Sequence, residues 1–548
     1  MKTFFTALFL CLDVICSFSF ANNFSSENRS SSVKSNQTQS PDISIVPKPK
    51  NFVIDNFLVS IENPVKVFID NSFNSVDRDY LFSILKQSGI NAVSSNKKES
   101  SLVVSQSDLD NSEGYILEVL KQQPLKIKIA AKSKNGVIYA FQTLKQIVSN
   151  NNGTIKLPAC YISDEPEFAW RAFMLDESRH FQGMQTVKNL LDEMAALKMN
   201  LFHWHLVDDP GWRIEIKKYP LLTSKGSKRD FSHSDYSIER WDSLHSEPWF
   251  YTQEQIKEIV GYADKRGITI VPEIEVPGHA SASIYAYPWL GATSRKDMNP
   301  VWGDLYQVAD PKVMQFLQDV MDEVIALFPS KIVHIGGDEA NYAHWRDSKE
   351  VLDFMKDNNI PTCSDMQLWA INKMSAYLDS KGCKMIGWNE ITGDNIRNEA
   401  HVEGSKSQSL AKGTLVQFWD GEITLVNKAI ERGFQVVNSN RFFTYLDYPY
   451  EAIPLDKAYS FNPYPDGLSD NDNKMIVGSG CQMWGEFTPN LQRLYFQIFP
   501  RIGAYAECGW ANPSEKDYND FCKRMIPVES KWKEKGFFVG QPSFSNLK

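Results

Sequence analysis

The chain has 548 residues, more than one ordinary hydrophobic core organises, so at least two domains are expected. Hydrophobic residues at 42% and charged residues at 23% fit a soluble globular protein and exclude a largely disordered one. A net charge of −9, with no block of lysine or arginine, excludes a nucleic-acid partner.

The first 21 residues read as an export signal. Lys2 supplies the positive charge, Phe4 to Phe20 is mostly apolar, and Ser19-Phe20-Ala21 offers a small-residue cleavage site. The run is short for a membrane span and contains Asp13. A lipoprotein anchor at Cys16 is the lesser reading, because Asp13, Val14 and Ile15 are poor neighbours for one. No later segment is apolar enough to cross a bilayer. Residues 22–42 are rich in Asn and Ser and read as a flexible tether. Asn23, Asn28, Asn36 and Asn152 head Asn-x-Ser/Thr triplets, which matter only where the source glycosylates.

Residues 43–160 predict a small α+β domain. Short β-rich runs at Val65–Ile69, Leu102–Val104, Tyr115–Val119 and Ile127–Ala130 accompany a helical pattern over Gly136–Val148. No chemical cluster stands out there, so a packing role is expected. Cys160, Cys363, Cys383, Cys481, Cys508 and Cys522 are scattered without a C-x₂-C pair, which argues against a cysteine zinc site.

From residue 161 to 548 the texture changes to an α/β pattern. Apolar runs recur at Phe173–Leu175, Leu201–Val207, Ile268–Ile274, Ile332–Ile335, Lys384–Gly387, Leu415–Phe418, Phe434–Val437 and Gly478–Met483, mostly with helices between. Eight such runs predict a (β/α)₈ TIM barrel with a helical extension at its C-terminus. Each run leads into polar or aromatic side chains. In order these are Asp176, Arg179 and His180; Asp208, Asp209 and Trp212; Glu275 and His279; Asp338 and Glu339; Trp388, Asn389 and Glu390; Trp419 and Asp420; Tyr445 and Asp447; Trp484 and Glu486. Barrel enzymes carry their sites at the C-terminal ends of the strands.

The most informative stretch is Lys331–Glu339, where a buried strand stops at two glycines and two carboxylates follow. Glycine lets the backbone bend and leaves room for a ligand. Adjacent carboxylates repel, so one of such a pair tends to keep its proton near neutrality, as departure of a glycosidic leaving group requires. Two-carboxylate glycosidases hold their acids apart across the scissile bond, which sequence neighbours do not fit cleanly.

HIGGDEA at 334–340 resembles the signature of glycoside hydrolase family 20, the β-hexosaminidases. The resemblance continues through DEPEFAWRAFMLDESRHF at 164–181, MNLFHWHLVDDPGWRIEI at 199–216, VPEIEVPGHA at 271–280, GWNEI at 387–391, YLDYP at 445–449 and QMWGE at 482–486. NGVIYAFQTLKQIV at 135–148 is similar to the end of the family's N-terminal domain. The resemblance implies an exo-acting, retaining β-N-acetylhexosaminidase in which the substrate's 2-acetamido oxygen attacks the anomeric carbon.

Carried onto this sequence, it implies Glu339 as general acid/base and Asp338 as the carboxylate on the acetamido nitrogen. Tyr445 becomes the phenol on the acetamido oxygen. Trp388, Trp419 and Trp484 become the walls, and Arg179, Asp447 and Glu486 the grip on outer hydroxyls. His279 with Asp208 or Asp209, Asp208 being favoured, becomes the support behind the acid. Asn389 stands where the family more often has Asp. The implied partner is an N-acetylated oligosaccharide or glycoconjugate, with no cofactor and no metal. Two rivals remain. His203-x-His205 with His279, His334 and Asp208 could form a metal hydrolase. A barrel that only binds glycans would ordinarily lack the acid.

Overall fold

Period-two burial builds the N-terminal half. In the computed structural model, which describes residues 44–151, 153–228, 249–292, 304–394 and 409–540, Val65, Val67 and Ile69 point inward, as do Tyr115, Leu117 and Val119, and Ile127 and Ile129. These strands belong to an eight-stranded mixed sheet. From one edge its order is Asn51–Ser60, Thr154–Asp164, Tyr115–Val119, Ile127–Ala131, Leu102–Gln106, Val65–Ile69 and Ala92–Ser94, with Ser149–Asn151 paired to the second. Helices Arg78–Lys86 and Lys134–Ile147 contribute Leu81, Ile84, Leu85, Val137, Ile138, Phe141 and Leu144 to its core. Ser133 caps the second helix by accepting from the Asn135 N–H.

The second half is a closed barrel of eight parallel strands, Trp170–Asp176, Leu201–His205, Thr269–Glu273, Ile332–His334, Lys384–Trp388, Leu415–Phe418, Gln435–Asn438 and Ile476–Met483. All eight coincide with an expected run. The last strand closes on the first from Gly478↔Trp170 to Met483↔Leu175. Gly478 makes that closure: a Cβ there would sit 1.9 Å from the Trp170 carbonyl oxygen, and its φ of 145° suits glycine. Amphipathic helices such as Met184–Ala196, Gln253–Lys265, Pro311–Leu327 and Cys363–Ser380 cover the outside. Helix Tyr518–Glu534 follows the barrel and buries Phe521, Met525 and Trp532.

The two halves meet at the N-terminal end of the barrel through buried polar links. Arg171 on the first strand donates to Glu113 at 2.8 Å and to the Tyr139 hydroxyl at 3.1 Å. Lys198 donates to Asp164 at 2.8 Å, and Trp510 Nε1 donates to the same carboxylate at 2.9 Å. The six cysteines among the described residues are unpaired thiols. Among the described residues no helix is long and apolar enough to cross a membrane. The expected signal, tether and four Asn-x-Ser/Thr asparagines lie outside the described residues.

Candidate active site

Residues at the strand ends and in the loops that follow them gather at the C-terminal face of the barrel. Asp176, closing the first strand, accepts from the Ser178 and Arg179 backbone N–H groups and from Arg179 Nη1 at 3.2 Å. The oxygen that takes Arg179 Nη1 also accepts from the Gly485 N–H at 2.9 Å, which ties the first strand end to the last. Arg179 Nη2 reaches Asp208 at 2.8 Å and stands 3.9 Å from Glu486. Its guanidinium lies 5.0 Å above the Trp484 ring.

Asp208 and Asp209 both face His279, each with an oxygen 3.2 Å from Nδ1. Their other contacts divide them. Asp208 also holds Arg179 and His205, whereas Asp209 accepts from the Ser281 N–H at 3.1 Å. On the far side, His279 Nε2 is 3.6 Å from Asp338 and 3.8 Å from Glu339. Burial would lower the His279 proton affinity, but Asp208, Asp209 and Asp338 outweigh it and hold the imidazole well above its ordinary range. Burial would raise the Asp208 carboxyl, but Arg179 and His279, with the His205 bond, hold it well below the usual carboxylate range.

Asp338 and Glu339 follow a turn of left-handed residues, Gly336 at φ 63° and Gly337 at φ 96°, and Glu339 itself has φ 48°. A non-glycine residue held there is strained, and such strain clusters at functional sites. The Asp338 side chain is 10% exposed and that of Glu339 39%, so one forms the floor and the other reaches toward solvent.

Four rings stand around this floor. Trp388 lies 6.3 Å from Trp419 and 5.8 Å from Trp484. Tyr445 stacks on Trp419 at 6.2 Å and 11°, and lies 6.0 Å from Trp484. Glu390 fixes Trp419 by accepting from its Nε1 at 2.9 Å. Asn389 knits the same corner: it accepts from the Trp419 N–H and donates to the Asp420 carbonyl. Beyond the rings, Asp447 Oδ1 and Glu486 Oε2 are buried without a hydrogen-bond partner. Burial, then mutual repulsion, pushes Asp447 well up, and burial raises Glu486 although Arg179 opposes it. Hydroxyl-bearing ligands satisfy such groups.

The structure brings all eleven residues named for the site together at the C-terminal ends of the barrel strands. Sequence reasoning missed the layer beneath. His205 Nδ1 bonds Glu273 at 2.5 Å, and His203 Nε2 and His334 Nδ1 each lie 2.8 Å from the same carboxyl. Glu273 is the strand partner of both His205 and His334, so the group shares one layer of the barrel interior. The four histidines of the metal reading therefore divide: three gather on Glu273, and His279 sits above with Asp208 and Asp209. Several three-residue sets here, including His203, Glu273 and His334, bring ligand-type atoms within 4.8 Å of one another.

The profile described as "Glycosyl hydrolase family 20, catalytic domain" matches residues 168–513, and "Glycosyl hydrolase family 20, domain 2" matches residues 42–165. The chain belongs to glycosyl hydrolase family 20. A β-hexosaminidase of Porphyromonas gingivalis is 36% identical over 75% of this chain and 52% of its own length. One of Vibrio furnissii is 34% identical over 72% of this chain and 65% of its own. The chain therefore spans about half of the first relative and under two thirds of the second. Among solved structures, an exo-β-N-acetylglucosaminidase of Vibrio harveyi in complex with N-acetylglucosamine superposes with TM-score 0.81. Its identity is 29%, covering 94% of this chain and 81% of that one. A β-N-acetylhexosaminidase of Bacteroides fragilis gives TM-score 0.77 at 28% identity, covering 91% and 98%.

Proposed function

We propose that this family 20 chain is an exo-acting, retaining β-N-acetylhexosaminidase. It releases terminal non-reducing N-acetyl-β-D-hexosamine from oligosaccharides or glycoconjugates by substrate-assisted catalysis. The observation that carries the reading is the grouping of Asp338, on the floor, and Glu339, at the rim, with a box walled by Trp388, Trp419, Tyr445 and Trp484. An acetamido group fits such a box. Its methyl meets aromatic faces, its N–H meets the buried, unpartnered Oδ1 of Asp338, and its oxygen accepts from the Tyr445 hydroxyl.

The steps follow. Glu339 protonates the departing glycosidic oxygen while the acetamido oxygen attacks the anomeric carbon, an intramolecular step with a large entropic advantage. Positive charge spreads onto the acetamido nitrogen, and Asp338 stabilises the oxazolinium ion. Glu339, now a carboxylate, takes a proton from water, which opens the ring from the face the leaving group vacated. Two displacements at one carbon give retention. Arg179, Asp447 and Glu486 hold the outer hydroxyls and close the far end of the pocket, which suits removal of a chain-terminal sugar.

The test replaces the substrate's 2-acetamido group by hydroxyl. Glucosides should be very poor substrates even at saturation, and a thiazoline analogue of the intermediate should inhibit strongly. Inversion seen by NMR, or a sugar ester trapped on a protein carboxylate, would sink the mechanism. No turnover of a chromogenic N-acetylglucosaminide would favour a glycan-binding barrel. Turnover lost on exhaustive chelation and restored by zinc would favour the metal hydrolase. We also propose export, with residues 1–21 removed as a signal peptide. Mass spectrometry of the mature N-terminus checks that cleavage and separates it from lipidation at Cys16.

A further inference from the structure

Glu275 has no role in the reaction as described, yet its surroundings are unusual. Backbone pairing of the third strand continues past Glu273, because Ile274 N–H donates to the His334 carbonyl and Val276 N–H to that of Ile335. Strand alternation therefore puts Glu275 on the same interior side as Glu273, one layer nearer the pocket. The residue is 2% exposed, and both carboxyl oxygens are buried without a hydrogen-bond partner.

The charged and titratable groups that act on it are Asp338, Glu273 and Asp208 on the negative side, His279 and His205 on the positive side, and the Tyr306 phenol. Neither histidine is available to it. His205 Nδ1 is 3.9 Å away and bonds Glu273 at 2.5 Å. His279 is shared among Asp208, Asp209 and Asp338. A buried carboxylate with no donor and three acidic neighbours is strongly disfavoured against the un-ionised acid.

The second observation is steric. A Cβ built on Gly336 would lie 1.6 Å from Glu275 Oε2 and 2.2 Å from its carboxyl carbon. The carboxyl group therefore lies flat against the Gly336 Cα and fills the space that a side chain at 336 would take. Gly336 begins the left-handed turn that ends at Glu339.

We propose that Glu275 is a positioning residue, an un-ionised carboxylic acid that underpins the Gly336–Glu339 turn and leaves Asp338 as the negative charge of the pocket floor. This rests on the catalytic roles given above to Asp338 and Glu339. It adds a reason for the glycine at 336, which makes room for the carboxyl group as well as for the turn.

The test uses Glu275→Gln, Glu275→Ala, Gly336→Ala and the double variant Gly336→Ala/Glu275→Ala in the full chain. Turnover of 4-nitrophenyl N-acetyl-β-D-glucosaminide is measured with infrared spectra and melting temperatures. Gln keeps the size and neutrality of the acid, so kcat should fall by no more than about threefold. Ala removes the prop, so kcat should fall roughly 10- to 100-fold with KM changed less than about threefold, since a small misplacement of the turn leaves the hydroxyl grip in place.

One component of the protonated-carboxyl stretch at neutral pH should be lost in Glu275→Gln, leaving any that Asp447 and Glu486 contribute. Gly336→Ala should lower the melting temperature, and Glu275→Ala should recover part of that loss in the double variant. A loss above about 100-fold in a folded Glu275→Gln would overturn the proposal, because the residue would then act as a carboxylate. An unchanged infrared spectrum, wild-type kcat in Glu275→Ala, or strictly additive melting shifts would overturn it as well. If the wild-type chain has no turnover, the function reading fails on its own. The infrared and thermal arms still decide the state and packing of Glu275, and they do so even if Gly336→Ala fails to fold.

Discussion

At position 339 the backbone is left-handed and the side chain 39% exposed, so the carboxyl group faces solvent at the pocket rim, where the proposed mechanism needs a proton donor for the leaving group. Glu339→Gln removes the transferable proton with little change of shape. Turnover of a natural disaccharide should fall roughly 100- to 10,000-fold, the usual worth of general acid/base catalysis. A nitrophenyl leaving group needs less protonation and should suffer less in the first step. Steady-state kinetics on both substrates check this, and near-normal turnover of the disaccharide would remove Glu339 from the role. Trp484 tests the wall. Its ring touches Trp388, Tyr445, His205 and the Arg179 guanidinium, so it packs on functional groups on several sides and is only partly buried. Trp484→Ala should raise KM and lower kcat together, with little change in melting temperature. A large thermal loss with preserved kinetics would make the ring a core residue instead.

Between strands, the layer His203, His205, Glu273 and His334 gives a pH prediction. Burial alone would push His205 down; the Glu273 charge and the bonds that the imidazole donates to Asp208 and Glu273 outweigh it and hold the imidazole up at about 10. An imidazole that binds its proton more tightly when folded adds stability that is fully present below its unfolded value of about 6.5. That contribution is lost as pH rises through about 10. The melting temperature should therefore fall between pH 7 and 10, and His205→Gln should flatten the slope while lowering stability at pH 6. An equal slope in the variant would assign the loss elsewhere. This layer was not legible in the sequence, although Glu273 precedes Glu275 by one strand period. Apolar–polar alternation such as His203-Trp204-His205 reads as a half-solvated strand, whereas here the polar side faces a packed barrel interior. The barrel strands themselves were legible because each is an apolar run stopped by functional residues. Strands Asn51–Ser60 and Thr154–Asp164 were missed for the converse reason. The first leaves Phe52, Val53, Phe57 and Leu58 exposed, and their pairing shifts register between Ile54 and Leu58, so no clean period survives. The pocket residues could be named from motifs. Spacing could not divide Asp208 from Asp209, because both reach His279 and only their remaining contacts differ.

Across the whole molecule, the junction between the N-terminal domain and the barrel rests on a carboxylate placed far from the pocket. Asp164 ends the sheet strand that leads into the barrel. It accepts from Lys198 Nζ at 2.8 Å, Tyr115 Oη at 2.6 Å, Trp510 Nε1 at 2.9 Å and the Lys50 N–H at 2.9 Å. Lys198 is wholly buried, with its ammonium 4.4 Å from the Trp510 ring. Burial lowers the Lys198 proton affinity even though Asp164 opposes it, which marks the pair as one whose desolvation outweighs its attraction. Such a pair adds little over a well-packed neutral replacement, but removing one partner strands the other. Lys198→Met should therefore destabilise the chain by about 3–5 kcal/mol, the usual cost of breaking a buried ion pair. The double variant Lys198→Met/Asp164→Asn should recover a large part of it, since the Asn oxygen still accepts from Trp510 and its amide N–H can donate to the Tyr115 hydroxyl, without a net charge. Lys198 precedes the second barrel strand, at the end of the barrel opposite the pocket, so kcat at 25 °C should be unchanged in both variants while they remain folded. Thermal unfolding with parallel kinetics separates the outcomes. If the double variant is as unstable as the single one, the junction depends on the ion pair itself; if kcat falls before stability does, the N-terminal domain reaches the pocket by a route that these contacts do not contain.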